Sequence, residues 1–324
     1  MSKRVLVTGG GGYIGSSMVR YLLICGYKVT VLDNLSMGSD GVMCFLGYPS
    51  YTFLKGDIRE VAIVKEALNN VDYVIHLAAI VGEPACSKFP NDAKSINIEG
   101  TKILFDESIK SGVERFIFFS TCSSYGVQDT NTMANEKTDL NPVSLYAETK
   151  IEMEDYLIQN SNSQMSYTIM RPSTVHGVSP RMRFDLIVNH FVKDAFLNKK
   201  LDIFGRNLWR PIMWVGEAGR AVEKVLKSDL KIIHNQIYNL GNTSNNYRKS
   251  QIAEIIKSKF IPELEIKYEG EEEDLRSYKV DFSKIESELG FDLQKTLEQA
   301  IFELISLIDN NIISDIYGDK YKNH

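Results

Sequence analysis

Arg4-Val5-Leu6-Val7-Thr8-Gly9-Gly10-Gly11-Gly12-Tyr13-Ile14-Gly15 is the stretch whose reading decides the fold. Its first five residues form a short apolar, β-branched run of the kind that makes a buried strand. The run ends in glycines, and Tyr13–Cys25 then shows the amphipathic period of a helix. Glycines at 9, 12 and 15 allow a tight turn, close approach of backbone to a pyrophosphate, and close packing of helix on strand. The helix N-terminus adds free N–H groups and the positive end of its dipole. A glycine cluster alone is a weak signal. This one lies between a strand and a helix, and Asp33 follows 18 residues after Gly15 at the end of the next strand pattern. That context predicts a dinucleotide site. A carboxylate at Asp33 suits the ribose hydroxyls of NAD and repels a 2′-phosphate. Asn34 stands where an NADP site would favour a cation, so NAD is the expected cofactor.

Outward from this unit, strand-like runs recur at Lys28–Asp33, Tyr51–Lys55, Asp72–Ala78, Arg115–Ser120 and Ser166–Arg171. Helical patterns alternate with them at Val61–Leu68, Pro90–Lys110 and Pro142–Gln159. Near-continuous apolar strands separated by helices predict a parallel sheet covered on both faces, an α/β doubly wound fold. After Pro172 the rhythm loosens. Gly177–Arg183 breaks the pattern, Phe184–Leu197 reads as a helix, and Phe204–Arg210 reads as a loop. A strand follows at Gln236–Leu240, with further helices at Lys249–Lys259, Ser283–Leu289 and Thr296–Asp309. The acidic run Glu269–Asp274 reads as a solvated loop.

Composition excludes several classes. Of 324 residues, 44% are hydrophobic and 24% charged, ordinary for a globular chain. The 37 basic and 42 acidic residues give a net charge of −5, the wrong balance for a general polyanion binder, so no nucleic-acid partner is expected. Cys25, Cys44, Cys86 and Cys122 show neither a CxxC pair nor metal-like spacing, and no metal is expected. No run reaches the ~18 apolar residues of a membrane span. Met-Ser-Lys leads directly into the first strand pattern, leaving no room for a signal peptide, so a cytoplasmic location is expected.

Tyr146-Ala147-Glu148-Thr149-Lys150 sets a tyrosine and a lysine four residues apart, on one face of a helix. A free phenol titrates near about 10, too high for a base at neutral pH. A neighbouring ammonium and a cationic nicotinamide would favour the phenolate; a drop from about 10 to about 7 is worth roughly 4 kcal/mol. The pair alone recurs by chance.

Taken together, Gly9/Gly12/Gly15, Tyr146/Lys150, Ser120-Thr121-Cys122-Ser123-Ser124-Tyr125-Gly126 and Arg171-Pro172 with Gly177 resemble the extended short-chain dehydrogenase/reductases. More narrowly they resemble the NAD-dependent nucleotide-sugar epimerase/dehydratase branch. The resemblance implies a Rossmann domain of residues 1–174 with about 211–242, and a smaller α/β substrate-binding domain of about 175–210 and 243–324. It implies that Tyr146 is the base, that Lys150 holds the nicotinamide ribose, and that Thr121 hydrogen-bonds the reacting hydroxyl, usually that on C4. Asp57, followed by Ile58, resembles the adenine contact, and Leu77-Ala78-Ala79 the cofactor-lining strand end, beside Gly9, Gly12, Tyr13, Ile14, Gly15, Asp33 and Asn34. Asn97 matches a helix motif in a structural role.

On the substrate side the resemblance points to Thr121, Ser123, Thr174, Arg183, Asn189, Arg210 and Arg276. Arginine suits a nucleotide diphosphate because its fork binds phosphate oxygens in pairs. Dehydratases of the branch carry Asp and Glu directly after the Thr, where this chain has Cys122 and Ser123, so water elimination loses its acid and base. Oxidation at C4 and C4 epimerisation remain. Val81–Cys86 and Ser179–Leu186 resemble a subgroup that serves bacterial surface-polysaccharide pathways, which favours 4-dehydrogenation of a GDP-heptose for capsule synthesis; the alternative is 4-epimerisation of a UDP- or GDP-hexose. A catalytically silent, cofactor-sensing scaffold is the remaining class. Pro90–Lys110 and Pro142–Gln159 resemble helices that pair across a dimer interface, implying a homodimer.

Overall fold

The computed structural model describes residues 2–129, 131–161, 164–270 and 276–323. Twelve strands occur among them. In chain order they are β1 (Arg4–Thr8), β2 (Lys28–Asp33), β3 (Tyr51–Lys55), β4 (Tyr73–His76), β5 (Arg115–Phe119) and β6 (Ser166–Pro172), followed by β7 (Thr174–His176), β8 (Lys200–Ile203), β9 (Trp209–Trp214), β10 (Gln236–Leu240), β11 (Asn246–Arg248) and β12 (Glu265–Tyr268). Seven form one sheet in the order β10-β6-β5-β4-β1-β2-β3, all parallel. Strand order reverses between β1 and β4. A doubly wound sheet opens a crevice at such a switch point, beyond the carboxyl ends of its strands.

Both faces of the sheet are buried, as the apolar strands require. Val5, Val7, Val29, Val31 and Ile75 face one core, with Met18, Val19 and Leu22 from the helix Tyr13–Ile24 and Ala221, Val222 and Val225 from the helix Glu217–Lys227. Leu6, Leu32, Val74, Phe116 and Phe118 face the other, against Leu104, Phe105, Met153 and Leu157 of the helices Thr101–Lys110 and Leu145–Asn160. A third core joins Val188 and Val192 of the helix Ile187–Asn198, Ile252 and Ile256 of Lys249–Lys259, and Ile301 and Leu304 of Leu297–Asp309. Two small sheets accompany it, β11-β9-β7 and β12-β8. Strand β9 crosses residues 210 and 211, so a segment boundary at that point falls inside a strand.

Several elements differ from the sequence reading. Pro90–Lys110 is not one helix: Pro90–Lys94 and Thr101–Lys110 are α-helical, and Ser95–Gly100 between them is a π-helical turn. Asn97 lies in that turn, and its side chain is tied to the backbone of Ile80, accepting from the N–H (2.8 Å) and donating to the carbonyl (3.0 Å). A π-turn is a recurrent way of re-aiming one side chain inside a helix. The Pro142–Gln159 pattern becomes helical only at Leu145, where the Ser144 hydroxyl caps the first turn by accepting from the Ala147 N–H. Phe184–Leu197 starts as a helix at Ile187. Trp209 and Arg210, read as loop, begin β9. Glu271–Asp274 of the acidic run lie outside the described residues.

Candidate active site

The first cavity lies at the switch point, between β1 and the helix Tyr13–Ile24. Gly9, Gly11, Gly12, Tyr13, Ile14 and Gly15 line it together with Asp33, Asn34, Asp57, Ile58, Leu77, Ala78 and Ala79. Two glycines show why the sequence must be bare here. Gly9 sits at φ +72°, and a Cβ on Gly15 would come 2.1 Å from the Gly9 carbonyl oxygen. The helix begins at Tyr13 with no side-chain cap on its N-terminal N–H groups. The residues of this uncapped helix start, Gly12, Tyr13, Ile14 and Gly15, line the cavity, which fits a dinucleotide pyrophosphate. Asp33 Oδ2 accepts from the Gly11 N–H (2.9 Å) and Oδ1 from the Leu35 N–H (2.8 Å), so the loop itself orients the carboxylate. Burial pushes its carboxyl above the usual carboxylate range, and the two N–H bonds oppose that rise. Arg59 donates to both Asp57 oxygens (2.9 and 2.8 Å) and holds that carboxyl below its usual range.

A second cavity of about 950 Å³ adjoins the first, with Ile14, Leu77, Val81, Arg183 and Asn323 common to both. Thr121, Ser123, Tyr146 and Lys150 line it. Thr121 ends the connection from β5 and caps the turn Cys122–Tyr125: its Oγ1 accepts from the Ser123 N–H (3.0 Å) and lies 2.8 Å from Ser123 Oγ. Tyr146 and Lys150 come from the first two turns of the helix capped by Ser144. Lys150 Nζ lies 4.8 Å from the centre of the Phe118 ring.

The titration of this pair differs from the expectation of a phenol lowered by its lysine. Burial in the cleft acts on both groups: it pushes the Tyr146 phenol above its ordinary value and lowers Lys150 to about 8. Cys86 adds to the rise of Tyr146 while Arg183 opposes it. The phenolate therefore needs cationic help beyond what the protein supplies.

Residues after Thr121 turn away from carboxyl chemistry. Cys122 is fully buried and its Sγ donates to the Arg171 carbonyl (3.0 Å). Burial pushes its thiol up, so it stays protonated. Behind it Arg171 forms a fork with Glu154, with Nε at 3.0 Å and 3.2 Å from the two oxygens, and also donates to Tyr125 Oη (3.1 Å). This buried pair ties β6 to the back of the helix that carries Tyr146 and Lys150.

At the far end of the large cavity, Arg210 and Arg276 come together from positions 66 residues apart: Arg210 Nη1 donates to the Arg276 carbonyl and to the Trp209 carbonyl (2.9 Å). Both arginines line the cavity, with Thr174, Lys249 and Tyr278. Arg183 is gripped by Asp185 (2.9 and 2.6 Å), which holds that carboxyl below its usual range in spite of burial. Asn189 differs from its expected place. It is wholly buried behind the wall, its Oδ1 accepting from the Gly177 N–H (2.8 Å) and its Nδ2 donating to the Arg183 carbonyl (2.8 Å), so it shapes the 177–183 loop instead of facing a ligand. His176 is buried without a hydrogen bond at Nδ1, and burial lowers it to about 3, leaving a neutral packing residue.

Arg181, Lys249 and Asn323 also line the cavities and were missed by sequence reasoning. A signal existed for the first. In Arg181-Met182-Arg183-Phe184-Asp185, polar and apolar residues alternate, and Met182 and Phe184 enter the third core while the other three reach the cavities.

The sequence model of the family described as "NAD dependent epimerase/dehydratase family" matches residues 5–241. A UDP-glucose 4-epimerase of Bacillus subtilis is 28% identical over 323 residues, covering 91% of this chain and 94% of its own. The structure of a UDP-glucose 4-epimerase from Thermotoga maritima with UDP-glucose superposes with a TM-score of 0.85 at 26% identity, covering 96% of this chain and 100% of that one. A UDP-N-acetylglucosamine 4-epimerase from Methanobrevibacter ruminantium, in complex with UDP-N-acetylmuramic acid, gives 0.85 at 26%, covering 96% and 99%.

Proposed function

The chain belongs to the NAD-dependent epimerase/dehydratase family, and from that premise we propose that it is an NAD-dependent 4-epimerase of a UDP-linked sugar. The observation that carries this reading is the meeting of Thr121, Tyr146 and Lys150 on one cavity whose neighbouring positions hold Cys122 and Ser123, without an acid–base pair for dehydration. The relatives favour epimerisation over 4-dehydrogenation of a GDP-heptose, because several that match over nearly the whole chain are described as UDP-sugar 4-epimerases.

NAD, when bound, supplies the hydride acceptor and donor. Tyr146 takes the proton of the C4 hydroxyl and returns it after the hydride comes back to the opposite face of the 4-keto sugar. Thr121 Oγ1, already oriented by Ser123, hydrogen-bonds the same oxygen. Lys150 carries positive charge below about pH 8 and so favours the phenolate at neutral pH. Arg210, Arg276 and Arg183 face the nucleotide diphosphate, and the 950 Å³ volume leaves room for the keto sugar to present either face.

The test is turnover of UDP-glucose and UDP-N-acetylglucosamine, with sugar stereochemistry and reduced nicotinamide both followed. Epimerisation gives the inverted sugar and no stoichiometric reduced nicotinamide; accumulation of reduced nicotinamide with a 4-keto product refutes it. Tyr146→Phe should lower kcat by at least about a hundredfold, the usual worth of a positioned base. Unchanged turnover removes Tyr146 from the reaction.

A further inference from the structure

The loop after β7 is docked on the first turn of the helix Tyr13–Ile24. Tyr13 Oη donates to the Gly177 carbonyl (2.6 Å), Ser179 Oγ donates to the Tyr13 carbonyl (2.6 Å), and Ser16 Oγ lies 3.1 Å from Ser179 Oγ. The Arg181 N–H follows at 3.4 Å from Ser16 Oγ. This docking brings Arg181 into the wall of the cofactor cavity, beside the uncapped N–H groups of the helix.

Arg181 is only 3% exposed. Its Nη2 donates to the Lys322 carbonyl (3.0 Å), but its Nε is shielded from water and makes no hydrogen bond. Among the described residues no carboxylate forms an ion pair with it, and Asp185, close by in sequence, is held by Arg183. Burial and the neighbouring Arg183 lower its guanidinium to about 10, so it remains a cation at neutral pH in a place that disfavours one. A buried guanidinium beside a positive helix end is an arrangement that wants an anion.

We propose that Arg181 is a pyrophosphate-binding residue of the NAD site, acting together with the helix N–H groups. The anion it meets is the cofactor's and not that of the sugar nucleotide, because Arg181 lines the cofactor cavity alone whereas Arg183 lines both. The proposal rests on the NAD site and is independent of which sugar is processed or how.

Equilibrium titration of nucleotide-free protein with NAD+, ADP, adenosine and UDP tests it. Arg181→Gln is expected to weaken NAD+ and ADP at least tenfold while changing adenosine and UDP less than twofold. Equal weakening of adenosine and ADP would make Arg181 a scaffold residue, unchanged ADP affinity would leave it without an anion, and weakening of UDP alone would move it to the substrate site; each overturns the proposal. If the Gln variant does not fold, Arg181→Lys decides: a reduced ratio of ADP to adenosine affinity supports the assignment, and an unchanged ratio refutes it.

Discussion

Lys150→Met should stabilise the nucleotide-free protein at neutral pH while removing its activity. The lysine is 3% exposed, and its ammonium has the Phe118 face at 4.8 Å but no hydrogen bond or ion pair among the described residues. Burial lowers it from 10.5 to about 8. That gap corresponds to about 3 kcal/mol against the charged form in the folded state. Below about pH 8 both folded and unfolded chains carry the proton, so the whole cost is present. Between about 8 and 10.5 the folded chain has released a proton that the unfolded chain still holds, so the cost shrinks as pH rises. Methionine keeps the volume of the side chain, and such swaps cost under about 1.5 kcal/mol. The variant should therefore be about 2 kcal/mol more stable than the parent at pH 7. Urea unfolding at pH 7, 8, 9 and 10.5 measures this, and the advantage should fall steadily over that series. A variant less stable than the parent at pH 7, or a difference flat from pH 7 to 10.5, refutes the claim that Lys150 is held charged at a cost in a desolvated cleft.

Gly15→Ala places a Cβ 2.1 Å from the Gly9 carbonyl and 2.7 Å from Gly10 Cα, backbone that cannot swing aside. Overpacking of this kind costs about 1–3 kcal/mol, and a thermal scan should show lower stability with NAD+ affinity down at least about tenfold; parental values for both would mean the loop is not packed as described. Asp33→Asn retains an acceptor for one of the two loop N–H groups but removes the charge, so the ratio of NAD+ to NADP+ affinity should fall by about tenfold or more in paired titrations. A constant ratio would show that the carboxylate does not discriminate. Glu154→Gln leaves Arg171 buried without its counter-charge and should cost about 3–5 kcal/mol, whereas Glu154→Leu with Arg171→Met should cost clearly less. A double variant as unstable as the single one would place the damage in packing, not charge.

Much of the cofactor half was legible because its signals are local. β1, β2, β3 and β10 fall where short apolar and β-branched runs predicted them, since such a run marks a strand from its own residues alone. The glycine pattern is local in part: Gly12 and Gly15 lie against the Gly9 carbonyl within their own loop, whereas Gly9 lies against the backbone of Leu77 and Ala78 after β4. Where reading failed, the cause was non-local. β7, β8, β11 and β12 have only three or four residues each, too few for a period of two to stand out, and exist because a partner strand from elsewhere in the chain meets them. The π-turn at Ser95–Gly100 depends on Asn97 finding the backbone of Ile80 across 17 residues. Local charge arguments failed at Tyr146 and Lys150 for the same reason, as the spacing of the pair carries no information about how dry the cleft is.

The 177–185 segment shows how far such non-local order reaches into function. Read alone, Gly177–Arg183 is a break between elements. Folded, Ser179 and Arg181 bond to the first turn of a helix some 165 residues earlier, and the following residues alternate between a core and two cavities. Arg181 faces the cofactor cavity, Arg183 both, and Asp185 the substrate cavity. One stretch, held on one side by Met182 and Phe184 and on the other by Tyr13 and Ser16, thus forms part of the wall of both cavities. A change in either hydrophobic anchor should therefore disturb both affinities together, although neither side chain faces a cavity.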